Sequence, residues 1–149
     1  TAFYVLLGLG VMASPWLWAG LLQRQRGGGA LARLNALLAI ATALPVLLVH
    51  PVAAFVSGAL FGGVFLSVVA STTALVRHNL APSQWPRGIS AFTIVFAAGQ
   101  IVGPGLSGLL ADAAGGLRQG LAVSAVVLLL GAALAALQKP IEPPKAAAP

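Results

Sequence analysis

Side chains able to do chemistry are few in this chain, and their positions say more than their number. Cysteine is absent, and the only acids are Asp112 and Glu142. His50, His78, Arg77 and Asp112 are separated by long apolar stretches and fall at the ends of them. Acid–base pairs, nucleophile–base sets and metal centres all need such groups clustered. No catalytic residue, metal ligand or cofactor is therefore expected, and an enzyme is excluded. The run Gly103-Pro104-Gly105-Leu106-Ser107-Gly108 satisfies the dinucleotide pattern G-x-G-x-x-G. It lies within an uncharged apolar stretch and position 128 is Leu, so the strand, the soluble βαβ unit and the acidic partner that give the pattern meaning are missing. The informative polar residue is Gln100, in the middle of an apolar stretch, where an amide without a partner is costly. Thr93 and Phe96 lie seven and four residues before it and share its helix face. Such a face suits a small amphipathic solute, and it suits packing through an interhelical hydrogen bond equally. Asp112 is an interfacial carboxylate capping a turn or, on the sharper reading, a coupling group.

The elements that must carry this face follow from composition. Of 149 residues, 59% are hydrophobic and 7% are charged, against roughly a quarter charged in soluble domains. Too few polar residues remain to cover a soluble surface. The net charge of +6 comes from basic residues dispersed through apolar sequence, not from the basic face that nucleic-acid binding needs. No nucleic-acid partner is expected. Residues 1–23, 34–76, 88–111 and 119–138 contain no Asp, Glu, Lys or Arg. A membrane-spanning helix takes about 20 apolar residues, so three stretches hold one helix each. The 34–76 stretch holds two, divided at His50-Pro51, because proline begins a helix and disfavours helix in the residue before it. Five transmembrane helices are expected, at about 2–22, 30–49, 52–76, 88–111 and 118–138. The class is all-α, a polytopic membrane bundle over 1–139, with a Pro/Ala-rich tail at 140–149 expected to be disordered. Strict alternation is absent, which argues against a barrel. The first stretch lacks a basic start and is too long for a signal peptide.

The joints sort by charge. Arg24, Arg26 and Arg33 flank the first joint, Arg77, His78 and Arg87 the third, and Lys139 and Lys145 the end; Arg118 alone falls in the opposite set. The positive-inside rule then places the N-terminus outside and the C-terminus in the cytoplasm. The arginines of the first joint suit anionic lipid. Trp16 and Trp18 precede that joint and suit an interfacial aromatic belt; beside Pro15, Trp16 also suits the lining of a cavity. Trp85 suits an interfacial anchor. Small residues recur every fourth position, as Ala59, Gly63, Ser67 and Ser71 in the third span and Gly99, Gly103, Ser107 and Ala111 in the fourth. Such stripes let helices approach closely in lipid. The hydroxyls of Ser67, Ser71, Thr72 and Thr73 suit bonds to their own helix. Pro15, Pro45 and Pro104 each remove a backbone hydrogen bond within a span, as a packing bend or as a pivot.

The run from Gly99 to Asp112, with Gly103, Pro104, Ser107 and Gly108 inside it and Gly115 beyond, resembles a helix of the major facilitator superfamily. There G-x-x-x-G-P-x-x-x-G followed by L-A-D-x-x-G is typical of the fifth and eleventh helices. Gly20, Leu22 and Gly27 resemble the cytoplasmic-loop pattern G-x-L-x-D-R-x-G, although Arg24 stands at the acid and Gln25 at the base; Arg26 adds charge to the same loop. The five spans and their charge pattern resemble helices eight to twelve, over 1–139. Thr72-Thr73 and Ser90–Asp112 are most similar to the YbfB/YjiJ-type branch. The resemblance implies a partial major-facilitator fold in a bacterial inner membrane, with lipid, a small solute and the absent N-terminal half as partners. It further implies a secondary transporter working by alternating access, whose motif residues gate or pack and whose loop influences switching. No charged group lies in mid-span, so a coupling acid is expected elsewhere or not at all. Thr1 begins within a span and five spans fall one short of a six-helix bundle, so the sequence reads as a piece of a longer protein. The alternative is a small five-helix scaffold or assembly subunit without transport activity. Reporter fusions test the topology: one placed after Lys139 is expected to report a cytoplasmic location and one at His50 an external location, and the opposite pattern overturns the assignment.

Overall fold

In a bilayer every backbone N–H and C=O must be satisfied within the protein, which leaves helices as the natural form of uncharged stretches like these. The structure, a computed structural model, describes residues 2–110 and 116–141. It contains α1 (Ala2–Arg24), α2 (Gly29–Leu47), α3 (Pro51–Asn79), α4 (Trp85–Leu110) and α5 (Gly116–Leu137), with a 3₁₀ turn at Pro82–Gln84. No strand occurs among the described residues. All five helices are long and apolar enough to cross a membrane. Asp112 and most of the tail, including Lys145, lie outside the described residues.

The helix ends show where local chemistry shifts the expected boundaries. α2 stops at Leu47, because Leu48 and His50 are extended ahead of Pro51. His50 then caps α3: its Nδ1 accepts from the Val52 N–H at 3.2 Å, so the residue that breaks one helix begins the next. α3 runs on to Asn79, past the apolar stretch, because His78 and Asn79 find partners there. α4 begins at Trp85, earlier than hydropathy suggests, because the 3₁₀ turn feeds directly into it. At the start of α5, Gly116 has φ +62°, a conformation that glycine adopts without strain. α1, α2 and α4 remain helical through Pro15, Pro45 and Pro104.

Two close pairs make the bundle: α1 lies along α3, and α2 lies along α5. α3 also packs on α2 and joins the pairs, whereas α4 touches α3 and α5 only sparingly. The α1–α3 contact is built from backbone against backbone. A Cβ on Gly10 would fall 2.7 Å from the Ala59 carbonyl oxygen and 2.8 Å from the Gly63 nitrogen. A Cβ on Gly62 would collide with the Leu7 carbonyl, and one on Gly58 with the Phe3 ring. α1 thus covers Gly58 and Gly62 as well as the series that begins at Ala59 and Gly63. Across the same seam the buried hydroxyls of Ser14 and Ser67 share a hydrogen bond of 2.6 Å. Beside them the Trp18 indole donates to the Gly63 carbonyl at 2.7 Å. Leu34, Leu38 and Val64 form the buried core between α2 and α3, with Phe65 and Leu128 packed on it. On α5, Ala125, Ala132 and Ala135 are buried, and the Gly28 N–H donates to the Gln138 carbonyl at 3.0 Å.

The two glycine-bearing helices therefore differ in a measurable way. Gly62→Leu is expected to destabilise the protein by at least about 1–3 kcal/mol, the usual cost of overpacking, because backbone is what it meets. Gly103→Leu, whose Cβ would meet nothing within 4 Å, is expected to change stability by less than about 0.5 kcal/mol. Unfolding of the purified protein in mixed detergent micelles checks the contrast, and equal losses would refute this account of the seam.

Candidate functional site

α4 carries the candidate face, and α4 is the helix the rest of the chain covers least. None of its described residues is buried. Its first half faces α3, and a cleft separates its remainder from α2, α3 and α5. The cleft has two chambers. The larger, of about 960 Å³, is lined on α4 by Gly99, Gln100, Gly103, Pro104 and Ser107. Thr42, Phe61 and Ser124 are among the residues opposite. The smaller, of about 540 Å³, is lined by Thr93 and Phe96 and, opposite them, by Asn35, Thr72 and Thr73. Leu38, Phe65 and Leu128 line both. Phe65 stacks on Phe61, with ring centroids 5.4 Å apart, and lies 6.5 Å from Phe96. An aromatic row thus marks the division between the chambers.

The polar groups of the walls sort by what they have left to offer. Thr42 donates to the Leu38 carbonyl, Thr72 to Val69, Thr93 to Ile89 and Ser124 to Gly120, all at 2.7–2.9 Å. Hydroxyls in spanning helices commonly spend their proton on their own backbone in this way, which leaves them acceptors. The side-chain amides of Gln100 and Asn35 can both donate and accept. Among the described residues, no Arg, Lys, His, Asp or Glu lines either chamber. Among the described residues, no group of three His, Asp or Glu stands close enough to hold a metal.

The structure brings Gln100, Thr93 and Phe96 to one cleft, with Gly99, Gly103, Pro104 and Ser107 in the wall beside them. It does not bring Trp16 there: that side chain is 79% exposed on α1. Gly108 lines neither chamber. Gly20 is open, while Gly27 lies under the chain end, its Cβ position 2.9 Å from the Gln138 carbonyl. Arg24 and Arg26 are exposed.

Sequence reasoning overlooked Asn35. It is an amide within a span, and the cost argument that singles out Gln100 applies to it unchanged. It also overlooked Asn79, which gathers three segments at the end of the bundle where the basic joints lie. The Asn79 amide donates to the Arg26 carbonyl at 2.6 Å and to Leu75 at 2.8 Å, and its Oδ1 accepts from the Ile141 N–H at 2.7 Å. His78 Nδ1 donates to the Gln25 carbonyl beside it at 3.0 Å. Arg77 stacks over Trp85, 5.2 Å from the ring centroid, and the Trp85 indole donates to the Leu80 carbonyl. At the opposite end Arg118 donates twice to the Val46 carbonyl, at 3.1 and 2.7 Å, tying α5 to the last turn of α2.

Five apolar helices around an uncharged cleft define a multi-pass membrane protein. The family model described as uncharacterised MFS-type transporter YbfB matches residues 1–136. The chain belongs to that family, and so to the transporters of the major facilitator type. No curated protein and no solved structure matches it.

Replacing Asn79 with Leu is expected to release the chain end from the α1–α2 joint. Hydrogen exchange at Ile141 and through Gln25–Gly28 should then quicken by about tenfold or more, in line with the loss of more than 1 kcal/mol of local hydrogen bonding. Unchanged exchange would show that the cluster does not hold these segments.

Proposed function

We propose that this chain is the C-terminal part of a secondary active transporter that moves a small solute by alternating access. It works with an N-terminal half, in a bacterial inner membrane, with its own N-terminus outside and its C-terminus cytoplasmic. One observation carries the reading: Gln100, Thr93 and Phe96 face a common cleft on a helix that the rest of the chain leaves open. Membership of an MFS-type transporter family supports it. Further support comes from the glycines of α4: a Cβ on Gly99, Gly103, Gly105 or Gly108 meets nothing within 4 Å. On α3 the equivalent small-residue stripe is filled by α1; on α4, Gly105 and Gly108 lie outside both chambers and leave room for further helices of the transporter. The clustering of Arg24, Arg26, Arg77, Arg87 and Lys139 toward one end of the bundle supports the orientation.

Within this mechanism Gln100 contacts the solute, Thr93 and Phe96 shape its path, and Pro104 with its flanking glycines lets α4 bend as the halves rock. Asn79 positions the joint between α1 and α2 against the chain end. The Gln100→Leu substitution in the full-length protein is expected to lower transport about tenfold, the worth of one well-placed hydrogen bond, with membrane insertion unchanged. Vesicles screened with a radiolabelled panel of small charged and uncharged solutes, against an immunoblot of the inserted protein, give both readings. Undiminished uptake with normal insertion would reduce Gln100 to a packing residue.

A further inference from the structure

One end of the bundle carries a concentration of positive charge that the fold holds together. Arg24 and Arg26 lie at the first joint, Arg77 in the last turn of α3, Arg87 in the first turn of α4 and Lys139 just after α5, and all five are exposed. Three contacts keep their chain positions close. The Asn79 amide, two residues after Arg77, donates to the Arg26 carbonyl at 2.6 Å. Its Oδ1 accepts from the N–H of Ile141, two residues after Lys139, at 2.7 Å. At the corner between α3 and α4, a Cβ on Gly88 would fall 2.8 Å from the Val76 side chain and 3.0 Å from that of Leu80. The start of α4 therefore lies directly on the end of α3, which brings the positions of Arg87 and Arg77 together. Against these cations the sequence supplies a single acid at this end, Glu142.

The α3–α4 corner is also the rigid part of the patch. The Trp85 indole is fixed by donating to the Leu80 carbonyl at 3.0 Å, and the Arg77 guanidinium lies over its ring, 5.2 Å from the centroid. Such stacking occupies one face of a guanidinium and leaves its in-plane N–H donors available. A guanidinium held in this way has already given up conformational freedom, and its fork matches the oxygens of a phosphate. The place of the corner points to the source of that phosphate. It stands at the end of two helices able to span a membrane, beside an indole of the kind that settles at headgroup level. Phospholipid is abundant there, and lipids of net negative charge gain most from clustered basic residues.

We propose that the α3–α4 corner binds the headgroup of an anionic phospholipid, with Arg77 donating to its phosphate, Trp85 holding Arg77 in place, and Arg87 and Arg26 adding positive charge. The site requires only a multi-pass membrane protein and stands whether or not the chain moves a solute.

Native mass spectrometry of the full-length protein tests this, with the protein released from micelles that hold equal amounts of phosphatidylglycerol and phosphatidylcholine of the same acyl chains. Phosphatidylglycerol is expected to be retained about tenfold over phosphatidylcholine, the effect of one or two basic residues at an anionic headgroup. Arg77→Gln should lower that preference about fivefold. Trp85→Leu leaves every charge in place and should still lower it severalfold, as should Arg77→Lys, which keeps the charge and loses the fork. Arg24→Gln, an equal loss of charge outside the corner, should lower it by less than about twofold. Equal losses for Arg24→Gln and Arg77→Gln, or a preference unchanged in both Trp85→Leu and Arg77→Lys, would reduce the site to diffuse charge and overturn the proposal. Equal retention of the two lipids by the unaltered protein would mean that the rest of the full-length chain covers the arginines, and would overturn it as well. A large excess of inorganic phosphate at constant ionic strength should leave the lipid bound; its displacement would make free phosphate the ligand and overturn the assignment to lipid.

Discussion

The backbone-to-backbone seam between α1 and α3 governs the rest of the bundle. In lipid, apolar side chains gain little by leaving hydrocarbon for other hydrocarbon, so helices associate through close packing and through polar contacts made at short range. Gly10, Gly58, Gly62 and Gly63 remove the side chains that would hold the helices apart. Only at that distance can the Ser14 and Ser67 hydroxyls meet and the Trp18 indole reach the Gly63 carbonyl. The seam fixes α3, and α3 in turn presents Leu34 and Leu38 of α2 with Val64, and the cleft with Phe61 and Phe65. A side chain added at Gly62 would therefore be felt at the aromatic row, since Phe61 and Phe65 are one residue before it and three after it on the same helix.

α4 is made of the same materials and has the opposite fate. Its small residues recur at the same spacing as those of α3, yet a Cβ on Gly99 or Gly103 meets nothing within 4 Å, and α5 comes near the stripe only at Ser107 among the described residues. A helix that buries none of its residues within its own chain gains its stability from lipid and from whatever else docks there. Such weakly held helices are also the ones that can shift at low cost, because few packed contacts must break. In a transporter this is the natural helix to carry both the solute face and a proline. The strong pairs α1–α3 and α2–α5 form the frame beside which it lies.

Much of the fold was legible because a single constraint, the exclusion of charge from hydrocarbon, acts over 20 residues at a time. The charge-free stretches located all five helices, and His50-Pro51 divided the longest of them. The ends were less legible, since they depend on individual bonds: the extended Leu48 and His50 that stop α2, or the His78 and Asn79 contacts that prolong α3. Part of the cleft wall was legible for the same reason as the fold. Gln100, Thr93 and Phe96 follow from helical spacing on one element. Asn35 required the same cost argument applied to a second helix. Trp18 shows the limit: near a basic joint an indole suits an interfacial belt, and only the proximity of Gly63, 45 residues away, turns it inward. The role of Asn79 has no sequence signal, because Arg26 and Ile141, 53 and 62 residues away, are brought to it only by packing, while its contact with Leu75 is within its own helix.

The distribution of charge links the frame to the cleft. Basic side chains at the helix ends can remain hydrated while they set orientation, so they cost the fold little. The walls of the cleft are bound by the opposite requirement, since a charge there would have to be neutralised in mid-membrane at every stage of a transport cycle. Walls of amides, hydroxyls, phenyl rings and aliphatic side chains avoid that cost.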